Sequence, residues 1–193
     1  MNRDAPGDML THGNPEGATA TSGTTPSAKR IRRAACPGSF DPITNGHLDI
    51  FNRVSGIFDE LTILVTVNPS KKTMFTLEER MDLIAEATGH LPNVRIDSMS
   101  GLLVDYCTRH GIDAVCKGLR VATDFDYEIQ MAQMNHKIAG VETLFLTTNP
   151  KHSYISSSLV KEVARYGGDV RDLIPATAYD ALIARLAEDI ASS

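Results

Sequence analysis

The stretch CPGSFDPITNGHLDI, residues 36–50, holds two glycines and two prolines between a short, partly apolar run and a helical pattern. A turn of this kind, leading from a strand into a helix, gathers unpaired backbone N–H groups and the positive end of a helix dipole. Phosphate groups bind at such points. The stretch therefore predicts a strand, a phosphate-binding turn and a helix in succession.

Strand and helix patterns alternate through the rest of the chain. LTILVTV, residues 61–67, is a β-branched run typical of a strand buried on both faces of a parallel sheet. Thr76 and Glu79 have the spacing of a capping box, which predicts a helix beginning at Thr76. Further strands are predicted near 94–96, 112–116 and 143–146, and further helices near 48–58, 102–107, 127–138 and 179–190. One more helix is predicted to open near 155–158. This order predicts an α/β fold, a Rossmann-like doubly wound parallel five-stranded sheet with C-terminal helices.

Composition limits the class of protein. The 193 residues suffice for one α/β domain and a tail, and 42% hydrophobic with 22% charged residues is typical of a globular protein. No apolar run approaches membrane-spanning length, and a net charge of -5 argues against a general nucleic-acid binder. We expect neither a membrane nor a nucleic acid among its partners. Three cysteines without a CxxC pair favour a reducing, cytoplasmic location over a disulfide framework or a zinc site.

Residues 1–30 differ in composition from the remainder. They are rich in Gly, Thr, Pro, Ala and Ser and have few large apolar side chains. Such a segment buries too little surface to offset its ordering entropy, so we predict a disordered N-terminal extension. It also lacks the basic start and apolar stretch of a secretory signal. Residues 31–193 are predicted to form a single domain.

Polar segments follow the predicted strands, and the carboxyl ends of parallel strands share one edge of a sheet, where ligands bind. His47 comes directly after Gly46 in the first helical turn, where it can donate a hydrogen bond to a phosphoryl oxygen. Ser39 offers a hydroxyl and an N–H group in the preceding turn. We interpret both as phosphate contacts, whereas Asp41 and Pro42 are interpreted as turn formers.

Two basic segments follow later strands. Lys71 and Lys72 in NPSKK come after the second strand, and Lys117 and Arg120 in KGLR come after the fourth. A solvated charge pair is the ordinary reading of a Lys-Lys sequence. At the edge shared with His47, however, such cations are expected to meet an anion. Gly118 allows a ligand to approach the backbone closely.

ISSSLVK, residues 155–161, offers three successive hydroxyls at a helix start. One serine is enough to cap the helix, so the surplus hydroxyls are interpreted as ligand contacts. The acidic run of Asp124, Asp126 and Glu128 is either a charged helix start or a contact for a ribose or a basic loop. Met131 and Met134 are interpreted as packing residues.

Five motifs, in this order and at this spacing, resemble those of bacterial phosphopantetheine adenylyltransferases, a family of the HxGH nucleotidyltransferase superfamily. They are PGSFDPITNGH, NPSKKTMFTLEER, KGLR, DFDYEIQMAQMN and ISSSLVKEVA, and the resemblance covers about residues 34–190. It implies a single nucleotidyltransferase domain that transfers AMP from ATP to 4'-phosphopantetheine, with dephospho-CoA and pyrophosphate as products. Mg²⁺ as cofactor and a homohexamer are also implied.

The resemblance further implies roles for individual residues. His47 is implied to stabilise the transition state as the catalytic residue. The implied ATP-binding residues are Ser39, Phe40, His47, Gly118, Leu119, Arg120, Glu128, His152, Ser153, Tyr154, Ile155, Ser156, Ser157 and Ser158. The implied binding residues for the acceptor are Ser39, Lys71, Leu103 and Lys117. No metal ligands are implied.

A few positions depart from the commonest pattern of this family. Lys117 stands where many members have Arg, so a bidentate grip on phosphate becomes a point-charge contact. Two alternative functions stay open. One is another HxGH nucleotidyltransferase, such as one that uses nicotinate mononucleotide as acceptor. The other is a non-catalytic nucleotide-binding protein, which would not need to keep His47.

Overall fold

The computed structural model describes residues 30–70, 72–120 and 122–191. Strands and helices alternate along this part of the chain, and residues from Ile31 onward form one compact unit. The strands are β1 (Arg33–Gly38), β2 (Glu60–Thr66), β3 (Val94–Met99), β4 (Ala114–Leu119) and β5 (Glu142–Thr147). The helices are α1 (Asn45–Ser55), α2 (Leu77–Thr88), α3 (Leu103–His110), α4 (Ala122–Ala139), α5 (Ser157–Arg165) and α6 (Ala176–Ala191), with short 3-10 turns at Pro150–His152 and Arg171–Leu173. The disorder predicted for the first residues lies outside the described residues.

The five strands form one parallel sheet in the order β3-β2-β1-β4-β5. The predicted α/β fold with a five-stranded parallel sheet and C-terminal helices is therefore confirmed. Strands β2 and β3 are added on one side of β1, and strands β4 and β5 are added on its other side. A crevice opens at such a reversal, beyond the carboxyl ends of the two central strands. Here those ends lead to Ser39 and Arg120.

The core lies on both faces of the sheet. Alternate residues of β1 show this division, because Ala34 and Cys36 belong to one buried cluster and Ala35 belongs to the other. The larger cluster also takes in apolar residues of α1, α2, α5 and α6, and the smaller one those of α3. Within the described part of the chain, no helix combines the length and the apolar character needed to span a bilayer.

Local signals in the sequence define where the helices begin. Thr76 caps α2 through a complete capping box with Glu79, as predicted. Thr44 caps α1 in the same way, with His47 in the third helical position. One boundary differs from the prediction, because β4 continues to Leu119 and so includes most of KGLR. Its register with β5 extends to Leu119 and Thr147, and this pairing keeps the strand regular beyond Cys116.

Candidate active site

A cavity of about 480 Å³ opens where the carboxyl ends of β1 and β4 face the beginnings of α1 and α5. Its volume is that of a site for a small molecule. Most of the predicted site residues line it, and they come from loops that are distant in sequence. They are Ser39, Phe40, His47, Lys117, Gly118, Arg120, Glu128, Ile155, Ser156, Ser157 and Ser158.

The tautomer of His47 is determined by the capping box of α1. The backbone N–H of Thr44 donates to Nδ1 of His47 over 3.1 Å, so Nδ1 acts as an acceptor and carries no proton. The proton of the neutral ring is then on Nε2. Burial, and after it the positive charge of Arg120, lowers the pKa of His47 to about 4. At neutral pH the ring is therefore an uncharged Nε2–H donor beside the cavity.

Phe40 fixes the shape of the turn before α1. Its φ of 46° is in the left-handed region, which costs energy for a residue with a side chain. Its ring makes edge contacts with His47 and Phe51, at centroid distances of 5.1 and 5.4 Å. The ring also covers Gly38, where an added Cβ would lie 2.6 Å from it. Only glycine at position 38 leaves room for this ring, which supports the imidazole of His47 from one side.

Ser39 is held in place through its carbonyl group. Arg80 of α2 is buried and donates a hydrogen bond of 2.7 Å to the carbonyl oxygen of Ser39. A second donor of Arg80 reaches the carbonyl oxygen of Thr76, at the beginning of the same helix. This contact fixes the backbone of Ser39, which lines the cavity.

The cations of the cavity are themselves anchored. Lys117 forms a salt bridge with Glu128 of α4, with 3.1 Å between Nζ and Oε2. Arg120 donates to the carbonyl oxygen of Ile155, which connects the end of β4 to the serine segment before α5. Both side chains line the cavity together with His47. The result is a positive wall, of the kind that attracts phosphate groups.

The three serines before and within α5 have different environments. Ser156 caps the helix by accepting a hydrogen bond from the N–H of Leu159. The hydroxyl of Ser157 donates to the carbonyl oxygen of Pro42 over 2.8 Å, which ties α5 to the turn after β1. Ser158 is exposed. All three line the cavity, so one helix start provides a cap, a tether and an exposed hydroxyl.

Other predicted site residues do not line this cavity. Leu103 begins α3 and packs on the smaller core cluster. Leu119, His152, Ser153 and Tyr154 lie next to the lining residues in sequence. The Nδ1 atom of His152 is buried and has no hydrogen-bond partner within the described chain. Lys71 lies outside the described residues.

Residues outside the predicted site also border the cavity, namely Cys36, Thr44, Gly46, Ile50, Phe51, Cys116, Tyr127 and Thr148. Thr44 and Gly46 belong to the PGSFDPITNGH motif and Tyr127 to DFDYEIQMAQMN, whereas Cys116 and Thr148 lie in none of the five motifs. Tyr127 belongs to the face that the helical pattern assigned to packing, yet it is 66% exposed. Arg80 and Asp41 act from behind the lining. The sequence offers no local signal for these two, because their partners are distant along the chain.

Comparison with known proteins agrees with the fold and identifies the family. The family model for cytidylyltransferase-like proteins matches residues 35–163. A solved structure from Vibrio parahaemolyticus, provisionally named a nicotinate-nucleotide adenylyltransferase, superposes with a TM-score of 0.59 at 15% identity, covering 80% of this chain and 99% of that one. At that identity the likeness concerns the fold alone. The chain is thus a nucleotidyltransferase of the cytidylyltransferase-like class.

Relatives of higher sequence identity show which family of this class the chain belongs to. A phosphopantetheine adenylyltransferase of Frankia casuarinae is 58% identical over 162 residues, which are 82% of this chain and 100% of the relative. One from Corynebacterium diphtheriae is 56% identical over 157 residues, 81% of this chain and 99% of the relative. The chain belongs to the phosphopantetheine adenylyltransferase family, which confirms the resemblance found in its motifs.

Proposed function

We propose that the protein transfers AMP from ATP to 4'-phosphopantetheine, giving dephospho-CoA and pyrophosphate. The observation that carries this proposal is the neutral Nε2–H donor of His47 beside the positive wall formed by Lys117 and Arg120. Membership in the phosphopantetheine adenylyltransferase family supports this choice of substrates. A phosphoryl group bound there would meet both a hydrogen-bond donor and positive charge.

The reaction needs alignment and charge stabilisation more than proton transfer. The attacking oxygen belongs to the phosphate of 4'-phosphopantetheine and is already ionised at neutral pH. It forms a bond to the α-phosphorus of ATP while the bond to the bridging oxygen breaks, and pyrophosphate leaves. Holding two substrates in line supplies much of the acceleration. His47 donates its Nε2–H to the α-phosphoryl group, where charge builds up in the transition state.

The other predicted residues divide between the two substrates. For ATP we propose Ser39, Phe40, His47, Gly118, Leu119, Arg120, Glu128 and the segment 152–158. For the acceptor we propose Ser39, Lys71, Leu103 and Lys117. Support comes from the cavity, which eleven of these residues line. Lys117 also contacts Glu128, so the salt bridge between them joins the two proposed groups.

Magnesium fits this cavity as an ion that the substrate carries. Within the described residues, no three His, Cys, Asp or Glu side chains are grouped as metal ligands. Among the described residues that line the cavity, Glu128 alone carries a carboxylate, and this carboxylate forms a salt bridge with Lys117. Mg²⁺ commonly binds through one or two carboxylates together with substrate phosphates and waters. We expect Mg²⁺ to be held by the phosphates of ATP, with Glu128 as the available protein carboxylate, and to neutralise part of their charge.

We also propose the homohexamer that the resemblance implies. Tyr127, Met131, Met134 and Ile138 form an exposed apolar stripe along α4. Leu144 of the edge strand β5 is also exposed. Met131 and Met134, interpreted from the sequence as packing residues, are exposed in the single chain, and a second copy of the chain would bury this surface. Light scattering should give the mass of six chains, whereas a monomer would contradict the assembly.

The free state of all three cysteines supports the predicted cytoplasmic location.

A panel of acceptors tests the activity. We expect Mg²⁺-dependent release of pyrophosphate from ATP with 4'-phosphopantetheine and none with nicotinate mononucleotide. Release with nicotinate mononucleotide but not with 4'-phosphopantetheine would instead indicate another HxGH nucleotidyltransferase. ATP binding without release with either acceptor would favour a non-catalytic nucleotide-binding protein.

A further inference from the structure

Two of the three cysteines of the chain are neighbours at the cavity. Cys36 lies on β1 and Cys116 on β4, and these strands are adjacent in the sheet. The register pairs Ala34 with Ala114 and Ala35 with Val115, and Cys36 and Cys116 directly follow this last pair on their strands. Both side chains belong to the same buried cluster, and both line the cavity.

The proximity of the two thiols suits a disulfide, because they share a side-chain hydrogen bond. Paired adjacent strands lie about 4.7–4.9 Å apart, and the last pair of this ladder directly precedes the two cysteines. Disulfides join residues whose Cα atoms are about 4.4–6.8 Å apart. Because the two side chains point to the same face of the sheet, their sulfur atoms need little movement to meet. Cys107 lies in the core cluster of the opposite face and cannot join either of them.

The pKa values of the two thiols are shifted in opposite directions. A hydrogen bond with Cys116, together with burial, raises the pKa of Cys36. The same hydrogen bond lowers the pKa of Cys116 despite its burial. Cys116 is therefore the thiol that ionises first, and the thiolate is the reactive form. Burial raises the pKa of Cys107 to about 11, which keeps that thiol unreactive.

We propose that Cys36 and Cys116 form a redox site within the nucleotide cavity, in which hydrogen peroxide converts the two thiols into a reversible disulfide. The Cys116 thiolate attacks one peroxide oxygen, the O–O bond breaks, and hydroxide leaves. The sulfur of Cys36 loses its proton to that hydroxide and attacks the resulting sulfenic acid. The S–O bond then breaks, and the departing hydroxide takes up a proton as water. Two thiols and one peroxide give one disulfide and two waters.

The disulfide would act on the cavity through the segments that follow each cysteine. Cys36 precedes the turn that carries Ser39, and Cys116 precedes Lys117 and Gly118. Joining the two strands at this point fixes the distance between two walls of the cavity. We expect oxidation to reduce adenylyl transfer and bound ATP to protect the thiols, and both expectations depend on the proposed function. The formation of the disulfide does not depend on it.

Peptide mapping of the full chain tests the site. The protein is treated with hydrogen peroxide, alkylated with iodoacetamide in denaturant, and digested without reductant. We expect a cross-linked peptide pair containing Cys36 and Cys116, alkylated Cys107, and a fall from three free thiols to one. Dithiothreitol should restore all three. Cys107 serves as the internal control, so the result does not depend on whether a variant folds.

Two variants make the test specific. Cys116→Ser should abolish the cross-link, whereas Cys107→Ser should leave it intact. A cross-link that includes Cys107, or three free thiols after peroxide treatment, would overturn the proposal. Adenylyl transfer is measured on the same samples before oxidation. Protein that forms the cross-link but transfers no AMP would argue against the proposed function alone, and active protein without the cross-link would argue against the redox site alone.

Discussion

The carboxylate of Asp41 and the ammonium group of Lys161 form a partly buried salt bridge that joins the turn after β1 to helix α5. The same carboxylate accepts hydrogen bonds from the backbone N–H groups of Met74 and Phe75, at 2.9–3.1 Å. Asp41 is only 5% exposed. Three segments of the chain therefore meet at one carboxylate. They are the turn that carries Ser39, the segment before α2, and the middle of α5.

We expect Asp41→Asn to destabilise the fold and to weaken the binding of both substrates. The amide keeps the size of the side chain but leaves Lys161 without its counter-charge. Removing one partner of a fully buried pair costs about 3–5 kcal/mol, and we expect a smaller loss because the Lys161 side chain is 21% exposed. Urea unfolding measures the free energy of unfolding, and the KM values for ATP and acceptor report the position of the loops. Asp49→Asn is the matched control, because its partner Arg53 on α1 has a 42% exposed side chain and such a pair is worth at most about 1 kcal/mol.

A double-mutant cycle isolates the pair itself. Combining Asp41→Asn with Lys161→Met should cost less than the sum of the two single changes, because the double variant leaves neither charge buried alone. Additive free energies of unfolding would show that the two residues act independently and would contradict a positioning role for the salt bridge.

The same carboxylate should make stability depend on pH in the acid range. Burial acts to raise the pKa of Asp41, but hydrogen bonds from Lys161, Met74 and Phe75 outweigh it and hold the pKa below its usual value. The folded state therefore binds this proton less readily than the unfolded state. The stabilisation is present above the unfolded pKa, about 3.9, and is lost as pH falls through the folded value. Acid titration of the free energy of unfolding should show a steeper loss below about pH 4 for the wild type than for Asp41→Asn. Equal slopes would show that Asp41 does not contribute.

His47→Ala should lower kcat while ATP still binds. Removing a single donor to a developing oxyanion costs about 10²–10³-fold in kcat. Quenched-flow measurement of AMP transfer and calorimetry of ATP binding separate the two effects. His90→Ala is the control, because that ring is on the surface and contacts Asn52 away from the cavity. Unchanged turnover in His47→Ala would remove the residue from the mechanism. Nitrogen NMR of the free protein should show a neutral ring protonated on Nε2 down to about pH 5, given a pKa of about 4.

The serine segment allows a comparison between neighbours. Ser157→Ala removes the hydrogen bond to the carbonyl oxygen of Pro42 and should cost about 1 kcal/mol of stability. Ser158→Ala removes an exposed hydroxyl at the cavity and should leave stability unchanged while raising the Kd for ATP. Thermal unfolding and calorimetry on both variants distinguish a tether from a ligand contact. Equal affinities for ATP in Ser158→Ala and the wild type would exclude that contact.

Local patterns in the sequence predicted much of this architecture. The capping box at Thr76, the buried run of β2 and the turn before His47 depend on residues that are close along the chain. The contacts that hold the site residues in place, in contrast, join residues that are far apart along the chain. Asp41 was interpreted as a turn former, and its partner Lys161 lies 120 residues further on. Arg80 reaches back 41 residues to Ser39. Contacts of this kind are set by the topology of the sheet, which brings distant loops to one edge, and no local spacing reveals them.

Gly118 makes a close approach that a side chain would disturb. A Cβ at this position would lie 2.9 Å from Cγ1 of Ile50, a buried residue of α1. We expect Gly118→Ala to lower stability by about 1–3 kcal/mol, because α1 must shift to relieve the overlap. Since His47 lies in the first turn of α1, the shift should also lower kcat. Gly56→Ala is the matched control, because a Cβ there makes contacts of 3.6 Å or more and the backbone φ of −76° suits alanine. Thermal unfolding and AMP transfer are measured on both variants. If Gly118→Ala matched Gly56→Ala in melting temperature and turnover, the spacing between β4 and α1 would have no part in holding His47.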